Sequence, residues 1–158
     1  MMPIKIHCPP SLEGRPFELT VERVVSLSGK TIFHAWTKGW GEWFADPETV
    51  ISTGGPNSLF FFEVRPPGMR HPHYGRYLGF ELYKSLQLTW VTGPNGTKGA
   101  ETVVTLELEP VEGGTKIKLT HAGFPDEESR DKHKGAWPMV LEQLELKMKP
   151  KETIEKKN

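Results

Sequence analysis

The stretch that decides the fold is Thr102-Val103-Val104-Thr105-Leu106-Glu107-Leu108-Glu109, with Thr115-Lys116-Ile117-Lys118-Leu119-Thr120-His121 following the turn Glu112-Gly113-Gly114. Val104, Leu106 and Leu108 alternate with Thr105, Glu107 and Glu109. Ile117 and Leu119 alternate in the same way with Lys116, Lys118 and Thr120. A period of two is that of a strand with one face buried and the other in water. The Gly-rich turn between the runs makes them a hairpin. Moving toward the N-terminus, Ser85–Val91 repeats the pattern, with Leu86, Leu88 and Trp90 opposed to Gln87 and Thr89. Tyr74–Leu82, Leu59–Val64 and Phe17–Leu27 read as further strands, separated by turn signals such as Gly54-Gly55-Pro56-Asn57 and Pro94-Asn95-Gly96. The expectation is an antiparallel meander of six or seven strands.

Helical signals flank the strands. Ser28 is placed to cap a helix from Gly29 to about Thr37, and Trp36, Trp40, Trp43 and Phe44 continue at the spacing of one helical face. Gly39 and Gly41 weaken a continuous helix, so two short helices with a bend are expected. Near the C-terminus, Asp126 caps a long helix whose first turn carries Glu127 and Glu128. Trp137, Leu141, Leu144 and Met148 form its apolar stripe, with Pro138 expected to kink it or to start its second segment, and Glu145 on the solvent side. The domain plan is a flexible segment over 1–16, one α+β domain over 17–149 and a charged tail over 150–158.

Charge and cysteine content narrow the function. The 158 residues carry 20 basic and 20 acidic side chains, which removes the electrostatic reason to expect nucleic acid or an anionic membrane as partner. Cys8 is the only cysteine, which excludes an intrachain disulfide and fits a reducing, cytoplasmic setting. The N-terminal residues lack the apolar core of a signal peptide, and runs such as Leu59–Phe62 are too short to span a bilayer. No nucleophile elbow, P-loop or dinucleotide fingerprint calls for a cofactor. His71-Pro72-His73 would put two imidazoles on one face of a strand, but no third ligand is identifiable and Pro66, Pro67, Gly68 and Pro72 mark an irregular loop, so no metal site is assigned.

The order of these elements, with particular residues, resembles the START-like (SRPBCC) superfamily and its helix-grip fold. Within it, the chain is similar to the group containing the C-terminal domain of the activator of the heat-shock-protein-ninety ATPase. The residues that carry the likeness are Val25–Trp36, Trp43-Phe44, Gly54-Gly55, Gly75-Arg76-Tyr77, Leu86–Trp90, Gly114–Phe124, His133, Trp137 and Leu141. Ala136 stands where the group usually has glycine before the tryptophan, and Leu82-Tyr83 replaces a Pro-containing turn. The resemblance implies a curved sheet around the last helix, with a ligand-sized cavity between them. Superfamily membership fixes no single activity.

Eight residues are candidates for that cavity. Trp36, Phe60, Phe62, Tyr77, Trp90 and Trp137 are large rings suited to line it, although each could equally fill a core. His121 shares parity with Ile117 and Leu119 and is the candidate polar contact; His133, four residues before Trp137, lies on the same helix face as that ring. The leading expectation is a binding module for an apolar small molecule such as a lipid, hormone-like or polyketide-like compound, as a monomer or homodimer. A chaperone-associated regulator that binds a partner protein is the alternative. A cyclase or hydrolase using His121 with Tyr77 or His133 is the third.

Overall fold

The computed structural model describes residues 6–157, and side chains over residues 6–151. The strands are β1 (Phe17–Val25), β2 (Ile51–Ser52), β3 (Leu59–Val64), β4 (His71–Glu81), β5 (Ser85–Trp90), β6 (Thr102–Val111) and β7 (Gly114–Phe124). They form one antiparallel sheet in the order β1-β7-β6-β5-β4-β3-β2. Helices α1 (Gly29–Ala35) and α2 (Trp40–Trp43) follow β1, and α3 (Glu127–Lys157) closes the fold. This is the expected α+β helix-grip arrangement.

Local chemistry explains most boundaries. The Ser28 hydroxyl accepts from the Thr31 amide and caps α1. Asp126 accepts from the Ser129 amide and caps α3; this bond, with the Lys98 ammonium, pulls its carboxyl down to about 2. β4 begins three residues earlier than its composition suggests and runs through Pro72. The reason is parity. Tyr74 exchanges both backbone hydrogen bonds with Val91, so the missing Pro72 N–H also falls on the β5 side, where the ladder has ended. β2 is new: it is two residues long, too short for a pattern to show. α3 continues as one helix through Pro138 and Pro150, into the residues assigned to a tail.

The core lies between the sheet and the helices. Trp137, Leu141, Leu144 and Met148 are all buried, in one cluster with Leu88, Trp90, Leu106 and Leu119. Glu145 corrects the reading of a free solvent-side residue. Its carboxylate accepts from the Ser26 amide and hydroxyl and meets Arg23, joining α3 to the end of β1. The N-terminal segment is tied as well. The Arg76 guanidinium donates to the His7 and Cys8 carbonyls, and Arg15 donates to the Gly123 carbonyl. Residues 1–5 of the segment assigned as flexible lie outside the described residues.

Candidate functional site

Near the start of α3 the sheet and helix part, leaving a groove of about 660 Å³. Trp90, at the end of β5, and Trp137 form much of its floor. Phe44 from the turn after α2, Val64 at the end of β3 and Val140 on α3 add apolar wall, and His73 and His133 face each other's elements from β4 and α3. Two loops make the rim: Met69 and Arg70 between β3 and β4, and Gly93–Gly96 between β5 and β6. The second loop is held rigid by a reciprocal pair, the Thr92 amide on the Thr97 hydroxyl oxygen at 2.9 Å and the Thr97 amide on that of Thr92 at 2.7 Å. A Cβ on Gly96 would fall 2.0 Å from the Thr92 hydroxyl oxygen, so glycine is what lets the loop close this way.

Of the eight candidates, Trp90, Trp137 and His133 line the groove. Trp36, Phe60, Phe62 and Tyr77 are fully buried beside it. The Tyr77 hydroxyl donates to the Trp36 carbonyl and accepts from the Trp40 indole N–H, so it serves the core. Trp36 stacks on Trp137 with centroids 5.8 Å apart. Its own indole N–H is buried without a partner among the described residues.

His121 is fully buried, and its bonds fix its state. Trp137 donates its indole N–H to Nδ1 at 3.0 Å, so Nδ1 is bare. The proton of the neutral ring therefore sits on Nε2, which donates to the Thr102 hydroxyl, and that hydroxyl in turn donates to the Trp90 carbonyl. Burial, helped by nearby His133, holds the imidazole well below its usual range. Both ring nitrogens are committed, leaving no lone pair for a ligand and none for proton abstraction. His121 holds the Trp137 ring in place and ties it, through Thr102, to the β5 backbone at Trp90.

His133 and His73 differ from it. Each gives its Nδ1–H to a backbone carbonyl, His133 to Ser129 at 2.7 Å and His73 to His71 at 3.0 Å. Burial lowers both, His73 to about 4, so both are neutral at pH 7. The His73 ring stacks on Phe62 and meets Phe44 and Trp90 edge-on. Sequence reading missed His73, Phe44, Val64, Met69 and Val140 as site residues. Only Val140 had a clear signal, since His133, Ala136, Trp137 and Val140 sit at i, i+3, i+4 and i+7 on one helix face. Among the described residues, no three His, Cys, Asp or Glu side chains are placed to share a metal ion. None of the described helices is long and apolar enough to cross a membrane.

A family model described as Activator of Hsp90 ATPase homolog 1-like protein matches residues 26–148. No curated protein matches the chain. Among solved structures, a protein from Chromobacterium violaceum superposes with a TM-score of 0.70 at 20% identity, covering 84% of this chain and 98% of that one. One from Rhodobacter sphaeroides gives 0.64 at 23% identity, covering 90% and 92%. The solution structure of the Aha1 dimer from Colwellia psychrerythraea gives 0.63 at 18% identity, covering 84% and 96%. At these identities the structural likeness concerns the fold.

Proposed function

Because the chain belongs to the Activator of Hsp90 ATPase homolog 1-like family, we propose that it works as a binding protein whose groove takes up an apolar small molecule. The observation that carries this is the groove, with Trp90, Trp137, Phe44, Val64 and Val140 as apolar surface and only a few polar groups among them. Its volume is that of an ordinary small-molecule site. The relay from Trp137 through His121 and Thr102 supports the same reading, because it presets the Trp137 ring of the floor before any ligand arrives. Titration with pyrene, followed by tryptophan emission and melting, tests it. At a hundredfold excess over Kd, native-state binding adds about 2.7 kcal/mol, roughly 5–10 °C in Tm for a chain of this size. Ala136→Trp, which places an indole in the groove from an exposed helix position, should abolish the response without lowering Tm. Pyrene binding undiminished by that substitution, or absent from the native protein, would overturn the proposal.

A second reading, binding of a partner protein, is favoured by one observation on the opposite face of the sheet. Ile51, Phe61 and Tyr74 are cross-strand neighbours on β2, β3 and β4, and Ile51, Tyr74 and nearby Leu59 are largely exposed. Such patches mark association surfaces. Ile51→Lys with Leu59→Lys should then abolish co-sedimentation with Hsp90, or self-association, while leaving pyrene binding intact. Unchanged sedimentation in the variant would remove this reading.

A further inference from the structure

We propose that the occupant of the groove carries a hydroxyl donor on an otherwise apolar ring system, a neutral phenol in chemical class, and that Nε2 of His73 or of His133 accepts its hydrogen bond. This rests on the groove being a ligand site, and goes on to say what the ligand must present. The geometry runs from the far side of each ring. Backbone carbonyls fix a proton on Nδ1 in both imidazoles, so in the neutral ring Nε2 holds a bare lone pair. Neither Nε2 makes a hydrogen bond among the described residues, and neither is among the buried unpartnered atoms, so both are open to an incoming group.

The rings are also held in orientation, which makes the lone pairs directional. His73 is stacked on Phe62 with centroids 5.2 Å apart, and His133 stands edge-on to His121 at 5.0 Å. Burial keeps both neutral at pH 7, and a neutral imidazole with Nδ1 protonated offers no second donor. The groove thus presents two acceptors side by side with apolar surface. An anion is badly served there, since two lone pairs repel it and the cations of the wall are committed. Arg70 is paired with Glu63 at 2.8 Å, and Lys132 with Glu128 at 3.3 Å. A purely apolar ligand would bury these lone pairs unpaired, which is unfavourable. A neutral O–H on an aromatic ring gives one of these acceptors its partner and suits the walls.

The experiment compares 2-naphthol, 2-methoxynaphthalene and 2-naphthoate by calorimetry at pH 7, on the wild type and on His73→Phe/His133→Phe. The naphthol keeps the donor, the ether loses it at equal size, and the naphthoate replaces it with a negative charge. The wild type should prefer naphthol over the ether by about threefold to tenfold, the worth of one net hydrogen bond. Naphthoate should bind weakest. In the double variant, naphthol and ether should become equal, with the ether bound no worse than before. Equal naphthol and ether affinity in the wild type, a preference that survives the double substitution, or naphthoate bound tightest would each overturn the inference while leaving the groove as an apolar site. Failure of all three probes to bind would overturn the groove reading and the inference with it.

Discussion

Trp137 is the residue whose replacement tests most of the structural reasoning at once. It is nearly fully buried, stacked on Trp36, in contact with Trp90, and bonded through Nε1 to His121. Trp137→Ala removes the ring, for which burial and cavity costs run to about 3–5 kcal/mol. It also leaves His121 Nδ1 as a buried acceptor with no partner, a further loss of about 1–3 kcal/mol. One edge of the ring borders the groove, so part of the vacated space fills with water and the cavity cost falls toward its lower end. The sum is about 4–6 kcal/mol, comparable to the whole stability of many domains. Trp137→Phe keeps most of the ring but leaves the same Nδ1 unpartnered, costing about 1–3 kcal/mol. Thermal unfolding followed by circular dichroism separates the variants, with a Tm drop of roughly 10–20 °C expected for alanine and roughly 3–10 °C for phenylalanine. Thr102→Val, combined with Trp137→Phe, should couple by more than about 0.5 kcal/mol because both break one relay. Additive costs, or an alanine variant within about 1 kcal/mol of wild type, would refute the account of the relay.

Acid should destabilise the protein through histidines buried as neutral rings. Burial lowers His73 to about 4, and also lowers His121 and His133, while the unfolded chain takes up protons near pH 6.5. The unfolded state binds more protons in between, so stability is full above about pH 6.5 and falls on acidification until His73 is itself charged near pH 4. For His73 alone this is about 2–3 kcal/mol by pH 4.5. Urea midpoints at pH 7.5 and 4.5 measure it, and an identical pH dependence in His73→Phe would contradict the assignment. A second prediction concerns the pairing of β4 with β5. A Cβ on Gly75 would lie 2.2 Å from the Thr89 carbonyl oxygen, so Gly75→Ala must push two paired strands apart and should cost about 1–3 kcal/mol or more. An unchanged urea midpoint would show that this contact relaxes freely.

The fold was legible because its signals are periodic. Val104, Leu106, Leu108, Ile117 and Leu119 announce the hairpin of β6 and β7, and Trp137, Leu141, Leu144 and Met148 announce the buried side of α3. What failed to show was set by tertiary pairing. Pro72 reads as a loop residue until its missing donor is found to face an ended ladder. Glu145 reads as solvent-facing until its carboxylate meets Ser26. The site was half legible for a related reason. Parity places Phe60, Phe62, Tyr77 and Trp90 toward the interior, and helical spacing does so for Trp36, but neither carries information on which part of the interior is filled. His121 and His133 illustrate the limit: both read as polar residues among rings, and only their partners separate a ring with both nitrogens bonded from one with a free Nε2.

The pairing of β1 with β7 has a consequence for how the molecule is made. Every other ladder joins strands adjacent in sequence, whereas Phe17 at the start of β1 meets Phe124 at the end of β7. Synthesis at about 5–20 residues per second delivers the partner strand roughly 5–20 s after β1 has been made. During that interval Leu19 and Val25, buried in the finished protein, have no sheet to join, and they sit on a strand with both edges unpaired. The β3–β6 meander can assemble while it waits, because its contacts are local and close early. β1 is therefore the last strand to be docked although it is the first to be made, and α3, fastened to it through Glu145 and Ser26, completes the grip in the same late step.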